Sequence, residues 1–216
     1  MKQKITVKRK TKTIYKVYKE GKIWGILPEK SLLFFDLSKE KPTYIDSSQK
    51  IEEIAEKIER YAWEKLIHYL SYRERCEYEC RVYLKRLPLN EQSVEILIKK
   101  AKKNRYIEDE RYADFYTYAL IKKKLSRREI YNRLREKRIA EEIIEANLRL
   151  HYTLDEKKNI LIKMVKKALR KYRKFDNYTK YQKVMNYLAR KGFNYNDAKK
   201  YYNKFSKEEQ NGDLQS

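Results

Sequence analysis

Two clusters of cationic side chains are the chemically most pointed feature of this sequence. Lys122, Lys123, Lys124, Arg127, Arg128, Arg133, Arg135, Lys137 and Arg138 form the first, and Lys166, Lys167, Arg170, Lys171, Arg173 and Lys174 the second. Ammonium and guanidinium groups at this density suit phosphate oxygens, through contacts that are sequence-independent and strongly salt-dependent. The charge is patchy: nine Lys/Arg stand against Glu20 alone in residues 1–22, and thirteen against Asp176 alone in residues 157–191. A general enrichment in Lys and Glu would bring matching carboxylates into the same segments. The net charge of +23 therefore marks localised positive fields, for which nucleic acid is the commonest partner. The two clusters are expected to line one face that meets DNA.

Catalytic chemistry is not apparent. There is no glycine-rich phosphate loop, no Ser or Cys nucleophile beside a His, and no metal-ligand cluster, so no enzyme activity, cofactor or metal is expected. Glu108-Asp109-Glu110 is a tight acidic trio of the kind a nuclease uses to hold Mg²⁺. Capping is the simpler role: Asp109 opens a helix, its neighbours complement the dipole, and Asp155 falls at the equivalent place further on. Cys76 and Cys80 stand four apart in a helical pattern, too far apart for easy pairing, and His68 and His151 are isolated. Both cysteines are expected to face a core. Of the 21 tyrosines, Tyr131, Tyr172 and Tyr187 lie on or beside apolar columns. Tyr178, Tyr181, Tyr195 and Tyr201 sit among lysines, where stacking on unpaired bases is the chemistry available.

The elements that must position these groups are mostly helical. Four glycines and three prolines leave few breaks in 216 residues. The basic stretch Ser126–Leu150 reads as two short helices around a tight corner. Ser126 with Glu129 is a capping box, Ile130, Tyr131 and Leu134 share a face, and Ala140, Ile143, Ile144 and Leu148 form a second stripe. The first 27 residues alternate instead, through Ile5 and Val7, then Ile14, Tyr15, Val17 and Tyr18, then Ile23, Trp24, Ile26 and Leu27. That predicts three antiparallel strands, with a hairpin turn at Lys19-Glu20-Gly21-Lys22. Pro28 opens a short helix over 29–37 whose Leu32, Leu33 and Phe35 would cover a sheet face; 39–49 is a polar connector. A long helix follows, with Ile51, Ile54, Ala55, Ile58, Ala62, Leu66 and Tyr69 on its buried side. No segment approaches a membrane span or a signal-peptide core, which predicts a cytoplasmic protein with no membrane partner.

The remainder repeats. Leu84, Leu134 and Leu188 stand 50 and 54 residues apart. Around them run four further matched columns: Cys80, Ile130 and Val184; Leu89, Ile139 and Phe193; Val94, Ile144 and Ala198; Ile98, Leu148 and Tyr202. Each copy holds a helix pair, and the first two add a third helix. The expected architecture is mainly α, an elongated array of three tandem three-helix repeats with the last incomplete, behind a small N-terminal antiparallel β piece. Its segments are a β-rich extension at 1–49, a linking helix at 50–72, repeats at 73–124, 125–175 and 176–205, and a disordered tail at 206–216.

Several segments carry a family resemblance. Leu70-Ser71-Tyr72-Arg73 leading into Arg75, Glu79 and Leu84 resembles the opening helix of the RecX family of recombinase regulators. Asn104-Arg105-Tyr106-Ile107-Glu108-Asp109-Glu110-Arg111-Tyr112-Ala113 is similar to that family's most specific motif. Ser126-Arg127-Arg128-Glu129-Ile130 with Leu134 and Ile139 resembles its second repeat, and Leu188-Ala189-Arg190-Lys191-Gly192-Phe193 its closing one. The match spans about residues 60–205, and residues 1–50 look like the strand extension some members carry. Two departures stand out. Cys76 replaces a Ser cap, at a cost of ~1 kcal/mol, with Ser71 and Glu74 able to start the helix a turn earlier. The Lys-Gly-apolar corner survives only at Gly192, so the corners at Pro88 and Arg138 are expected to be built differently.

The resemblance implies a non-enzymatic protein, monomeric, that lies in the groove of the RecA recombinase filament. There it would restrain ATP hydrolysis, strand exchange and filament growth in recombination, DNA repair and the SOS response, and would bind single- and double-stranded DNA. The competing reading is a stand-alone helix-turn-helix DNA-binding protein. Against it, the second helix of the middle unit opens Ala140-Glu141-Glu142, which repels phosphate.

Overall fold

Alternation near the N-terminus yields three strands, β1 (Gln3–Arg9), β2 (Ile14–Lys19) and β3 (Lys22–Pro28), in the computed structural model, which describes residues 2–212. Glu20 and Gly21 take φ of 49° and 75° at the β2–β3 turn, the pair of positive values that a two-residue turn matched to strand twist requires. A fourth strand, β4 (Thr43–Ile45), lies inside the segment that the sequence presents as a polar connector. It pairs antiparallel with β1, Gln3 opposite Ile45, giving the order β3-β2-β1-β4. Three β-favouring residues just after Pro42 suffice once the free edge of β1 is there to accept them.

Helix α1 (Glu29–Phe34) is shorter than its apolar run suggests, because Asp36 turns into the left-handed region. Leu32 and Phe35 cover the sheet as expected, but Leu33 is 69% exposed. Helix α2 (Ser48–Ser71) starts at Ser47, whose side chain accepts from Lys50 N. Its first half supplies Ile51, Ile54 and Ile58 to the core under the sheet, alongside Ile5, Val7, Tyr15, Val17 and Leu27. Its second half supplies Ala62 and Leu66 to another core, made with α3 (Glu77–Arg86) and α4 (Glu91–Lys103). Gly25 is needed where α2 crosses β3: a Cβ there would stand 2.2 Å from Ile58 Cγ2.

At the start of α3, Cys76 offers no side-chain cap, and Ser71 ends α2 instead of opening α3. The missing acceptor comes from elsewhere: Asp109 Oδ1 accepts from Glu77 N at 2.8 Å. The acidic trio thus serves the beginning of a helix 32 residues upstream. Cys76 and Cys80 are fully buried and form no disulfide. Burial pushes the Cys80 thiol up to about 12, as suits an inert core residue.

The chain folds as two compact units, one ending at Asp109 and the other beginning at Glu110. The second unit holds nearly all of α5 (Asp109–Lys122), with α6 (Arg127–Glu136), α7 (Glu141–His151), α8 (Leu154–Lys171), α9 (Asn177–Arg190) and α10 (Tyr195–Gly212). The 3.6-residue pattern has a direct physical origin here: Ile130, Leu134, Ile144, Leu148, Val184, Leu188, Ala198 and Tyr202, all on the repeating columns, are buried. Ser126, Thr153 and Asp176 cap α6, α8 and α9, each accepting from the backbone N–H three residues on. Asp155 therefore lies inside the first turn of α8, where its charge complements the dipole, and Thr153 is the cap. Helix α10 continues to Gly212, beyond the boundary that the sequence suggests at 205; residues 213–216 of the expected tail lie outside the described residues.

The α6–α7 corner is built like the α9–α10 corner, despite Arg replacing Gly. Arg138 has φ 57° and Gly192 φ 78°. In both, the left-handed residue donates three positions back and the next residue five back: Arg138 to Arg135 and Ile139 to Leu134, Gly192 to Ala189 and Phe193 to Leu188. These are the two bonds of a Schellman ending. Only the α3–α4 corner at Pro88 differs, with Leu87 in extended geometry. Gly192 carries a second constraint, since a Cβ would lie 2.7 Å from Ser126 Oγ, the cap of α6. Arg138→Gly is therefore expected to stabilise the protein by about 1 kcal/mol through relief of left-handed strain, whereas Gly192→Ala destabilises it by more. Urea unfolding of both variants measures the opposite signs.

Candidate nucleic-acid interface

The second basic cluster lies on α8, where burial explains its arrangement. Ile160, Leu161, Met164, Val165, Ala168 and Leu169 are buried, so the opposite face must be polar. Lys163, Lys166, Lys167, Arg170 and Lys171 occupy it at helical spacing, all exposed, and Arg173 and Lys174 continue it into the following turn. The helical part spans roughly 12 Å at 1.5 Å per residue. Among the described residues, no carboxylate pairs with Lys163, Lys166, Lys167, Arg170, Arg173 or Lys174. Lys166 Nζ lies 4.5 Å from the Phe205 ring centroid, and Lys171 Nζ lies 5.3 Å and 5.5 Å from those of Tyr172 and Tyr187. The lysine stems thus pack on aromatic carbon while the charges stay wet.

This patch extends onto α9 through residues outside the sequence cluster. Lys183 Nζ stands 4.6 Å from the ring centroid of Phe175, and a hollow of about 460 Å³ is lined by Tyr172, Lys183, Asn186, Ala189 and Arg190. Lys163 is recoverable from the sequence, since it stands three and four residues before Lys166 and Lys167. Lys183, Asn186 and Arg190 share one face of α9 by the same rule. Tyr178, near the start of the same helix, is 74% exposed. Tyr181 and Tyr195 instead hydrogen-bond each other at 2.8 Å, and Tyr201 stacks with Phe205.

The first cluster is less uniform. Lys122, Lys123, Arg128 and Arg135 are exposed and Lys124 half-buried with φ 62°, and Lys122 lies over the Tyr118 ring. Arg127, however, is bound to Glu145 at 2.6 Å, and Arg133 to Glu129 at 3.4 Å. Tyr131 donates to Glu141 at 3.1 Å, which holds its hydroxyl proton more tightly than usual. Lys137 and Arg138 also have partners within the protein. The acidic start of α7 thus neutralises part of the basic face of α6. A cleft of about 710 Å³ beside it mixes Arg127, Arg128 and Lys157 with Glu141 and Glu145. Helix α6 packs on α7, and α8 on α9 and α10, but the two sides meet: Arg128 of α6 lies against Gly192 at the α9–α10 corner, and Arg127 and Arg128 share the cleft with Lys157 of α8.

Arg81 and Lys102 of the first unit behave differently again. Arg81 binds Glu77 at 2.7 Å and both carboxylate oxygens of Glu95, and Lys102 reaches Glu77 at 2.7 Å. Burial raises the Glu77 carboxyl pKa, but the bonds from Lys102 and Arg81 outweigh it and hold the group below its ordinary range. These charges tie α3 to α4 and are spent on the fold. Among the described residues no group of three or more His, Cys, Asp or Glu could hold a metal ion, and no helix is long and apolar enough to cross a membrane.

Fold and site together define a tandem three-helix-repeat protein with a small N-terminal sheet and a cationic helix face left, among the described residues, without carboxylate partners. Residues 109–148 match the second three-helix domain of RecX and residues 155–207 the third. Regulatory protein RecX of Limosilactobacillus reuteri (strain DSM 20016) is 30% identical over 186 residues, covering 86% of this chain and 69% of its own. Its counterpart in Listeria welshimeri serovar 6b is 30% identical over 197 residues, covering 90% and 72%. A crystal structure of regulatory protein RecX, 27% identical, superposes with a TM-score of 0.65 over 92% of this chain and 98% of that one. RecX from Lactobacillus salivarius, 23% identical with a TM-score of 0.60, shares the fold over 68% of this chain. The chain belongs to the RecX family.

The matched family domains and the apolar columns divide the helices differently. The domains group α5 with α6 and α7, and α8 with α9 and α10, so the long helix leads each unit. The apolar columns, which start from the helix pair, place it last and leave the final copy short. Helix α5 has contacts on both sides: Asp114 meets His151 of α7 at 2.5 Å, and Asp109 at its start accepts from Glu77 N of α3.

Proposed function

We propose that this chain is a non-enzymatic modulator, inhibitory in sense, of the RecA recombinase. It binds the groove of the RecA–DNA filament as a cytoplasmic monomer and restrains ATP hydrolysis, strand exchange and filament growth. The observation that supports this most is the unneutralised α8 stripe, Lys163 to Lys174, in a chain of the RecX family. A row of cations along one helix grips phosphates by charge alone, without reading bases. That suits a partner whose DNA sequence varies along its length. The α6 cluster adds Lys122, Lys123, Lys124, Arg128 and Arg135 to the grip, while Arg127 and Arg133 are partly neutralised.

The stand-alone helix-turn-helix reading is weaker. Groove readers put Arg, Asn or Gln at the start of the second helix, and α7 opens with Glu141 and Glu142. The test is RecA ATP hydrolysis on single-stranded DNA. Inhibition well below one chain per recombinase monomer is expected; inhibition only at amounts that coat the DNA would reduce the effect to competition for DNA.

A further inference from the structure

The N-terminal sheet has two faces, and only one is used by the fold. Ile5, Val7, Tyr15, Val17 and Leu27 point into the core under α2. The alternate residues form the other face. On it Lys4 lies opposite Tyr44, Thr6 opposite Tyr18, and Lys8 opposite Lys16. Lys4, Lys8 and Tyr44 are exposed, Tyr44 by 60%, and Thr6, Lys16 and Tyr18 are half-exposed. Lys8 Nζ stands 5.5 Å from the Tyr18 ring centroid.

Three features set this face apart from an ordinary solvated one. Among the described residues no carboxylate pairs with Lys4, Lys8 or Lys16, in contrast to Arg81 and Lys102 in the same unit. Glu20, the one acidic residue of the segment, is held by the backbone N–H of Lys4 at 2.5 Å. The charges accumulate rather than cancel: burial and then the neighbouring Lys16 both push the Lys10 ammonium down. Finally, the two tyrosine rings lie on strands flanking β1, two residues out of step, hence roughly 12 Å apart at ordinary strand spacings. Exposed rings interleaved with unpaired lysines are the chemistry of a stacking platform for unpaired bases on a phosphate chain.

We infer that the outer face of the β-sheet, through Lys4, Lys8, Lys16, Tyr18 and Tyr44, is a second nucleic-acid site that takes single-stranded DNA. Phosphates run beside the lysines and bases stack on the two tyrosines. The choice of DNA over RNA rests on the filament reading above; the site itself stands on residues that reading does not use.

The experiment uses the full chain and a 20-nucleotide oligothymidylate carrying a photoreactive thymine. Cross-links are expected on the peptides holding Tyr18 and Tyr44. Tyr44→Ala should weaken binding of the unmodified oligomer by about tenfold, the cost of a lost base stack, while Tyr44→Phe retains it. Lys4→Glu/Lys8→Glu/Lys16→Glu should lower the salt slope of single-strand binding by about 2, at roughly 0.7 per phosphate. The tyrosine pair keeps the test valid should the triple variant unfold. Cross-links confined to residues beyond 110, with unchanged affinity and slope, would overturn the proposal and leave the α8 reading intact. Tighter binding of the matching oligouridylate would overturn the assignment to DNA. The filament reading is decided separately, by RecA ATP hydrolysis in the presence of the wild-type chain.

Discussion

Reversing Lys166, Lys167, Arg170, Lys171 and Lys174 to Glu is expected to abolish duplex DNA binding at moderate salt. Each phosphate contact contributes roughly 0.9 to the slope of log K against log salt, so five contribute about 4.5. These five contacts alone would lower the wild-type affinity about five hundredfold between 50 and 200 mM salt, and the variant should lose that share of the dependence, keeping only what the α6 cluster supplies. The side chains are exposed on the face opposite the buried stripe of α8, so the fold has no reason to fail. Salt titrations by fluorescence anisotropy measure the slope directly; an unchanged affinity at low salt would remove α8 from the interface. Arg127→Glu/Arg133→Glu should do less, because those guanidinium groups already serve Glu145 and Glu129.

The largest stability effect is expected at Gly25. Its backbone meets Ile58 so closely that an added Cβ would stand 2.2 Å from Cγ2 and 3.4 Å from Cβ. Ile58 is 1% exposed and shares the core with Val17, Leu27 and Ile54, so it has nowhere to turn. Gly25→Ala must therefore shift α2 away from the sheet, at about 3 kcal/mol or more. Ile58→Ala alone costs a similar amount by leaving a cavity, yet the double variant should be much better than the sum, because the new methyl occupies vacated space. Denaturant unfolding of the four proteins measures that coupling. Strict additivity would mean that the β3–α2 contact is looser than its geometry.

The repeats are legible in the sequence for a physical reason. Burial in a helix pair demands apolar residues at fixed 3–4 spacing, and that demand recurs whenever the unit recurs. Hence Leu84, Leu134 and Leu188 align in the sequence and all three are buried. Local capping is equally readable, because Ser126 acts on an N–H only three residues away. The resemblance carried in Asn104–Ala113 and Leu188–Phe193 points to the family through residues that are neighbours along the chain.

What the sequence by itself determined, then, is everything governed by neighbours along the chain: the apolar columns, the local caps, the β2–β3 hairpin and the basic stripe of α8. Tertiary structure decided what depends on residues that meet only after folding. It recruited Thr43–Ile45 as a fourth strand, sent Asp109 to cap α3, and matched Gly25 to Ile58. It also forced Arg138 into the left-handed region, since the stacked helices fix the corner whatever residue occupies it. Above all it sorted the cations. Arg127 and Lys167 look alike in the sequence, but Glu145 neutralises one from 18 positions away while no described carboxylate reaches the other. Charge is local in sequence; neutralisation is a matter of distance in space.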